Sequence, residues 1–206
     1  MIAGMPIVPR YGDVITLNDD AFFSKIQHVS TQRWINGVSP KKFGPGNRSH
    51  STLCAGVVCG EVSLFEAKEK VVIDPWAWSQ FIPHRIYRFK APDAVIATMM
   101  HSVYIKDADQ WYSFLWLPYF PFRKIVELTL HLDVRRMRPW FPGGVICSEE
   151  VYLAFLSMAT LMGWQDMIDY LNQWNGNNFH SSDTQSVLDT FCPKYLDLID
   201  SYKLDT

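Results

Sequence analysis

Gly143-Gly144-Val145-Ile146-Cys147-Ser148-Glu149-Glu150-Val151-Tyr152-Leu153-Ala154-Phe155 reads as a tight turn, a cysteine and an apolar-rich helix. Val151, Ala154 and Phe155 fall at helical spacing, and Met158 and Leu161 continue the stripe. Cys147 or Ser148 starts the helix. Glu149 and Glu150 then occupy its first turn, where carboxylates suit the positive end of the helix dipole. Unsatisfied backbone N–H groups at that end favour a thiolate at Cys147 and suit an oxyanion. One cysteine at a helix start equally fits an inert core thiol. A nucleophile needs a base from elsewhere in the chain.

The 206 residues suit one large domain, or one domain with insertions, over 1–206. Apolar residues make up 48% and aromatics 15%, which is ample core material. A net charge of −2 gives no basis for a nucleic-acid surface or an acid-binding patch. The four cysteines (Cys54, Cys59, Cys147 and Cys192) have neither zinc-finger nor C-x-x-C spacing. Met1 to Arg10 lack a basic start and a long apolar run, so no secretory signal is expected. The expected compartment is reducing, with free thiols: the cytoplasm by default. The most apolar run, Trp111 to Phe122, is broken by Pro118 and Pro121 and is too short to cross a membrane.

Along the chain, Tyr11 to Leu17 reads as a turn and a short strand, and Asp20 to His28 as a short helix. Ser39 to Asn47 is loop, because it holds two prolines and two glycines. Arg48 to Val58 is a strand, Gly60-Glu61 a turn, and Val62 to Ala67 the returning strand of a hairpin. Val71 to Ile73 leads into a turn and short helix at Asp74 to Phe81, and Arg85 to Phe89 alternates as a strand. Ala91 to Trp116 suits one or two helices, whereas Ile125 to Leu132 fits helix or strand. Trp164 to Trp174 continues the Cys147 helix or begins another. Asn175 to Ser182 is loop, and Ser186 to Leu204 is weakly helical.

Five motifs stand in order. They are Gly12-Asp13-Val14-Ile15; Ser49-His50 before a small apolar strand; Phe65-Glu66-Ala67; Tyr87-Arg88; and Cys147-Ser148-Glu149 before an apolar helix. The set resembles the permuted papain-like amidases of the YiiX/YebB type, a circularly permuted branch of the NlpC cell-wall peptidase superfamily. The resemblance covers roughly residues 11 to 156, and Ser182-Asp183 weakly matches a further P-x-D motif. It implies an α+β papain-like fold, with a small antiparallel sheet packed against the helix that starts at Cys147. It also implies thiol acyl transfer, with Cys147 as nucleophile, His50 as base and Glu66 orienting the imidazole. The expected substrate is a peptide or peptidoglycan fragment, with no cofactor and no metal. Glu150 departs from the family's leucine, Phe120 stands where an acid is expected after Pro118-Tyr119, and the aromatic-rich segment from 107 to 141 looks like an insertion.

Strand arithmetic alone does not deliver Glu66. A two-residue turn at Gly60-Glu61 sets His50 opposite Val71 and Glu66 opposite Ala55, an offset of about 16 Å along the strand. Glu69 and Asp74 are rivals in that register. A metal site from His50, Cys54 and Cys59 is rejected. Cys54 shares the His50 face but lies about 13 Å along, and Cys59 falls on the other face. The remaining histidines lack a partner pattern, and Arg135-Arg136-Met137-Arg138 is a short basic patch that reads as solvated. Trp111 to Phe122 suits core or lid packing, a partner surface or an acyl-chain contact. Two other functions stay open: a lipid or thioester hydrolase or acyltransferase with the same dyad, and a non-catalytic component of a phage particle or secretion apparatus with a vestigial site. Phage or machine delivery would also solve the problem of a wall enzyme without a secretion signal.

Overall fold

The computed structural model describes residues 7–17, 50–67, 71–78, 80, 82, 84–107, 122–123, 126, 129–133, 147–174, 179 and 181–202. Six strands are described: β1 (Val14–Leu17), β2 (His50–Val58), β3 (Glu61–Ala67), β4 (Val71–Pro75), β5 (His84–Phe89) and β6 (Leu196–Tyr202). They form one antiparallel sheet in the order β4-β3-β2-β1-β5-β6. Among the described residues the complete helices are α1 (Asp93–Asp107), α2 (Cys147–Met162), α3 (Gln165–Leu171) and α4 (Ser181–Phe191), and residues 122–123, 126 and 129–130 are also helical. A single 3-10 turn, Trp76–Trp78, follows β4. The expected helix at 20–28, the loop at 39–47 and the basic run at 135–138 lie outside the described residues, as does most of the expected insertion at 107–141.

Alternation sorts the strand residues into two cores. Val14, Leu53, Phe65, Tyr87 and Phe89 face α1 and α2 and pack with Met99, Val151, Phe155 and Met158. Ile15, Leu17, Cys54, Leu64 and Ile86 point the other way and pack with Trp76. In α2, Val151, Ala154, Phe155 and Met158 are all buried, as their spacing predicts. Leu161 is not: it stands exposed near the helix end, and Ala159 fills the core position instead. The chain breaks at Gly163, so α3 is a separate helix and not a continuation.

Two expectations are corrected. The tail is not helical throughout. α4 ends at Phe191, and Leu196–Tyr202 pairs with β5 as the sixth strand. Leu196-Asp197-Leu198-Ile199-Asp200 disguises this because a register shift near Ile86 and Tyr87 breaks the apolar-polar alternation. The hairpin turn is Cys59-Gly60, not Gly60-Glu61. Val58 pairs with Glu61, and both turn residues take positive φ (53° and 87°), as a two-residue turn that matches strand twist requires.

His84, read as structural, is buried between aromatic rings. Its ring has 0% exposure and sits edge-on to Trp76 and stacked on Tyr202. Nδ1 lies 2.8 Å from the Ile82 carbonyl and Nε2 3.6 Å from Asp200 Oδ2.

Gly12 opens the first strand motif at φ +81°, and a Cβ there would lie 2.3 Å from Ile96 Cγ2 of α1. Gly12→Ala therefore meets both left-handed strain and a clash with a core helix. The expected loss is about 2–3 kcal/mol in urea unfolding, the strain alone supplying roughly 1–2 of it.

Candidate functional site

The first functional motif and the fourth meet. Asp13, 2% exposed, receives a bidentate fork from Arg88: Nε to Oδ1 at 2.9 Å and Nη2 to Oδ2 at 2.7 Å. The Arg10 backbone N–H also donates to Oδ2 at 2.8 Å. Hydrogen bonding to Asp13 raises the Arg88 pKa above the ordinary guanidinium value. The pair joins β1 to β5 beside Cys54, and nothing in the sequence beyond two opposite charges near strand ends signals it. The Asp13 carboxylate is satisfied by Arg88 and by the Arg10 backbone N–H.

Cys147 is the first residue of α2, and His50 is the first residue of β2. Helix α2 packs against β2 and α1. The side chains of Cys147 and Glu66 lie outside what is described. Ser148, Glu149 and Glu150 are all buried, and Glu150 has 0% exposure. The departure at Glu150 thus falls on a sealed side chain.

The hairpin geometry moves Glu66 towards His50. The earlier turn shifts the register by two, and the extra residue between Cys54 and Gly56 shifts it by one more. Leu53 pairs with Phe65, and continuing that ladder sets position 66 opposite Thr52. The offset from His50 falls from about 16 Å to about 7 Å along the strand. Asp74 pairs with Leu64, two strands from β2 and level with Cys54, and is removed as a rival; Glu69 lies outside the described residues.

Alternation also sets a constraint on His50. It pairs with Leu17, as Thr52 does with Ile15, and both partners lie in the second core. Ser51, the next residue, points to the helix side, where its hydroxyl donates to Thr184 Oγ1 at 3.5 Å. A half-buried His50 at the strand start therefore meets α2 only by coming round the end of β2.

Helix α4 borders the same region. Ser148 Oγ donates to the Phe179 carbonyl at 2.6 Å, just before α4 begins. Arg123 Nη1 lies 3.5 Å from Asp183 Oδ2 in the first turn of α4, with both side chains mostly buried. Asp183 was reached in sequence only through a weak P-x-D match. Ser148 entered only as a member of the Cys147-Ser148-Glu149 motif, and Thr184 and Arg123 carried no signal, because contacts between distant elements leave no periodic trace.

No family model and no curated protein matches the chain. Among solved structures it is similar to "metalloprotein yiiX from Escherichia coli O157:H7, DUF1105", at 12% identity. The match covers 95% of this chain and 98% of that chain, with a TM-score of 0.52. At that identity the likeness concerns the fold alone, which is YiiX-like and α+β. Among the described residues no group of three or more His, Cys, Asp or Glu is placed to hold a metal ion, and no helix is long and apolar enough to cross a membrane.

Three measurements follow. Arg88→Met leaves the desolvated Asp13 carboxylate without its fork and should cost about 3 kcal/mol in urea unfolding, with Asp13→Asn recovering part of it in the double variant. Burial pushes the Cys54 thiol up to about 11. Above the unfolded thiol's pKa the unfolded chain loses that proton first. Stability should therefore fall as pH rises from about 9 to about 11, and Cys54→Ala should remove that part of the slope. At pH 8, exposed Cys59 should react with iodoacetamide while Cys54 stays protected.

Proposed function

We propose that the chain is a thiol hydrolase of the permuted papain-like type, acting on an amide bond in a peptide or peptidoglycan fragment. The observation that carries the reading is the placement of Cys147: it opens the central buried helix, and that helix packs on the strand begun by His50. Support comes also from the shortened offset between position 66 and His50 and from the YiiX-like fold.

In this reading the Cys147 sulfur attacks the substrate carbonyl and His50 takes the thiol proton. Backbone N–H groups at the start of α2 hold the oxyanion. The C–N bond breaks as His50 returns the proton to the leaving amine. Water, deprotonated by His50, then cleaves the thioester, and Glu66 keeps the imidazole oriented. The similar bacterial protein is titled a metalloprotein. Among the described residues of this chain no group of three or more His, Cys, Asp or Glu could hold a metal ion.

One observation favours a second reading. Strict alternation in β2 directs His50 towards the Leu17 side, away from α2. A non-catalytic component of a particle or secretion machine, with a vestigial site, needs no contact between His50 and Cys147.

The test is the pH dependence of Cys147 alkylation by iodoacetamide, read by peptide mass spectrometry. The thiol reading expects an apparent pKa well below the ~8.5 of a free thiol, lost in His50→Ala and altered in Glu66→Ala. Ordinary or absent labelling in all three proteins overturns it and leaves the scaffold reading.

A further inference from the structure

Ser148 follows the candidate nucleophile and Ser51 follows the candidate base, and each hydroxyl reaches the same place. Ser148 Oγ donates to the Phe179 carbonyl at 2.6 Å, and Ser51 Oγ to Thr184 Oγ1 at 3.5 Å. Phe179 stands two residues before α4 and Thr184 lies in its first turn. All four residues are sealed from solvent at 0–1% exposure. Around them are Tyr152, Trp174 and Phe179, whose rings meet at 5.0 and 5.8 Å between centroids. Alanine and valine would fill such apolar surroundings as well. Hydroxyls placed there, bonded across elements far apart in sequence, fix direction in a dry medium where slipping leaves a polar atom unsatisfied.

We propose that the start of α4 is the shared anchor of the candidate site, with Ser148 and Thr184 as positioning residues that hold the head of α2 and the head of β2 in one register. The inference rests on the thiol-hydrolase reading of that site. The Arg123–Asp183 pair braces the anchor from its outer side. Neither hydroxyl touches substrate: Ser148 acts through Cys147, and Thr184 acts through Ser51 on His50.

The experiment uses the full chain and the pH profile of Cys147 alkylation, with Ser148→Ala, Thr184→Val and the conservative Thr184→Ser. Expected is a rise of about one unit in the apparent thiol pKa for Ser148→Ala and for Thr184→Val. That corresponds to roughly tenfold slower labelling below the pKa, with circular dichroism unchanged and Thr184→Ser close to wild type. A depressed thiol pKa in the wild type that survives both substitutions overturns the anchor while the thiol-hydrolase reading stands. An ordinary thiol pKa in the wild type overturns both. Should Ser148→Ala fail to fold, Thr184→Val decides alone, because it preserves side-chain volume.

Discussion

The structure depends first on the fork between Arg88 and Asp13. β1 is a four-residue strand with β2 on one side and β5 on the other, so the middle of the sheet is also its shortest part. Such a strand offers few ladder hydrogen bonds to hold partners separated by long stretches of chain. A bidentate ion pair at its entry, with the carboxylate buried and the guanidinium partly exposed, supplies a direction that short ladders lack. Gly12, just before Asp13, lets α1 close on the same corner. The two motifs are therefore one structural unit, seen from β1 and from β5.

From that corner the helical layer follows. α1 leaves β5 and lies on the sheet beside α2, and Ser102 of α1 meets Ser157 of α2 at 3.0 Å. α2 is buried along most of its length, and its first residue is the cysteine. A helix held so firmly makes a rigid platform for whatever its N-terminus does.

The hairpin shows how small backbone events govern a site. Moving the turn by one residue and adding one bulge residue changes the alignment of Glu66 with His50 by three positions. Both events depend on local backbone conformation: positive φ at Cys59 and Gly60, and an irregular step at Ala55. The same strand, regular from His50 to Cys54, points His50 and Ser51 to opposite faces. Residue adjacency thus separates the hydroxyl that meets α4 from the imidazole one position earlier.

Much of the fold was legible in the residues. The stripe of α2, the strands expected near 11–17, 48–58, 62–67 and 85–89, and a helix start at Cys147 or Ser148 follow from apolar spacing and end signals, which are local properties of the chain. Two patterns misled: the tail beyond Phe191, where a register shift hid strand alternation, and Leu161, whose apolar character did not ensure burial at a helix end. The motifs named Asp13, Arg88, Cys147, His50 and Glu66 as residues of interest, but no spacing rule says which of them meet. Tertiary structure alone joined Asp13 to Arg88, set position 66 opposite Thr52 and brought the start of α4 against the residues that follow Cys147 and His50. The physical reason is that periodicity encodes which face of an element is dry. Which dry faces meet, and in what register, is decided only when long-range hydrogen bonds, ion pairs and packing are satisfied together.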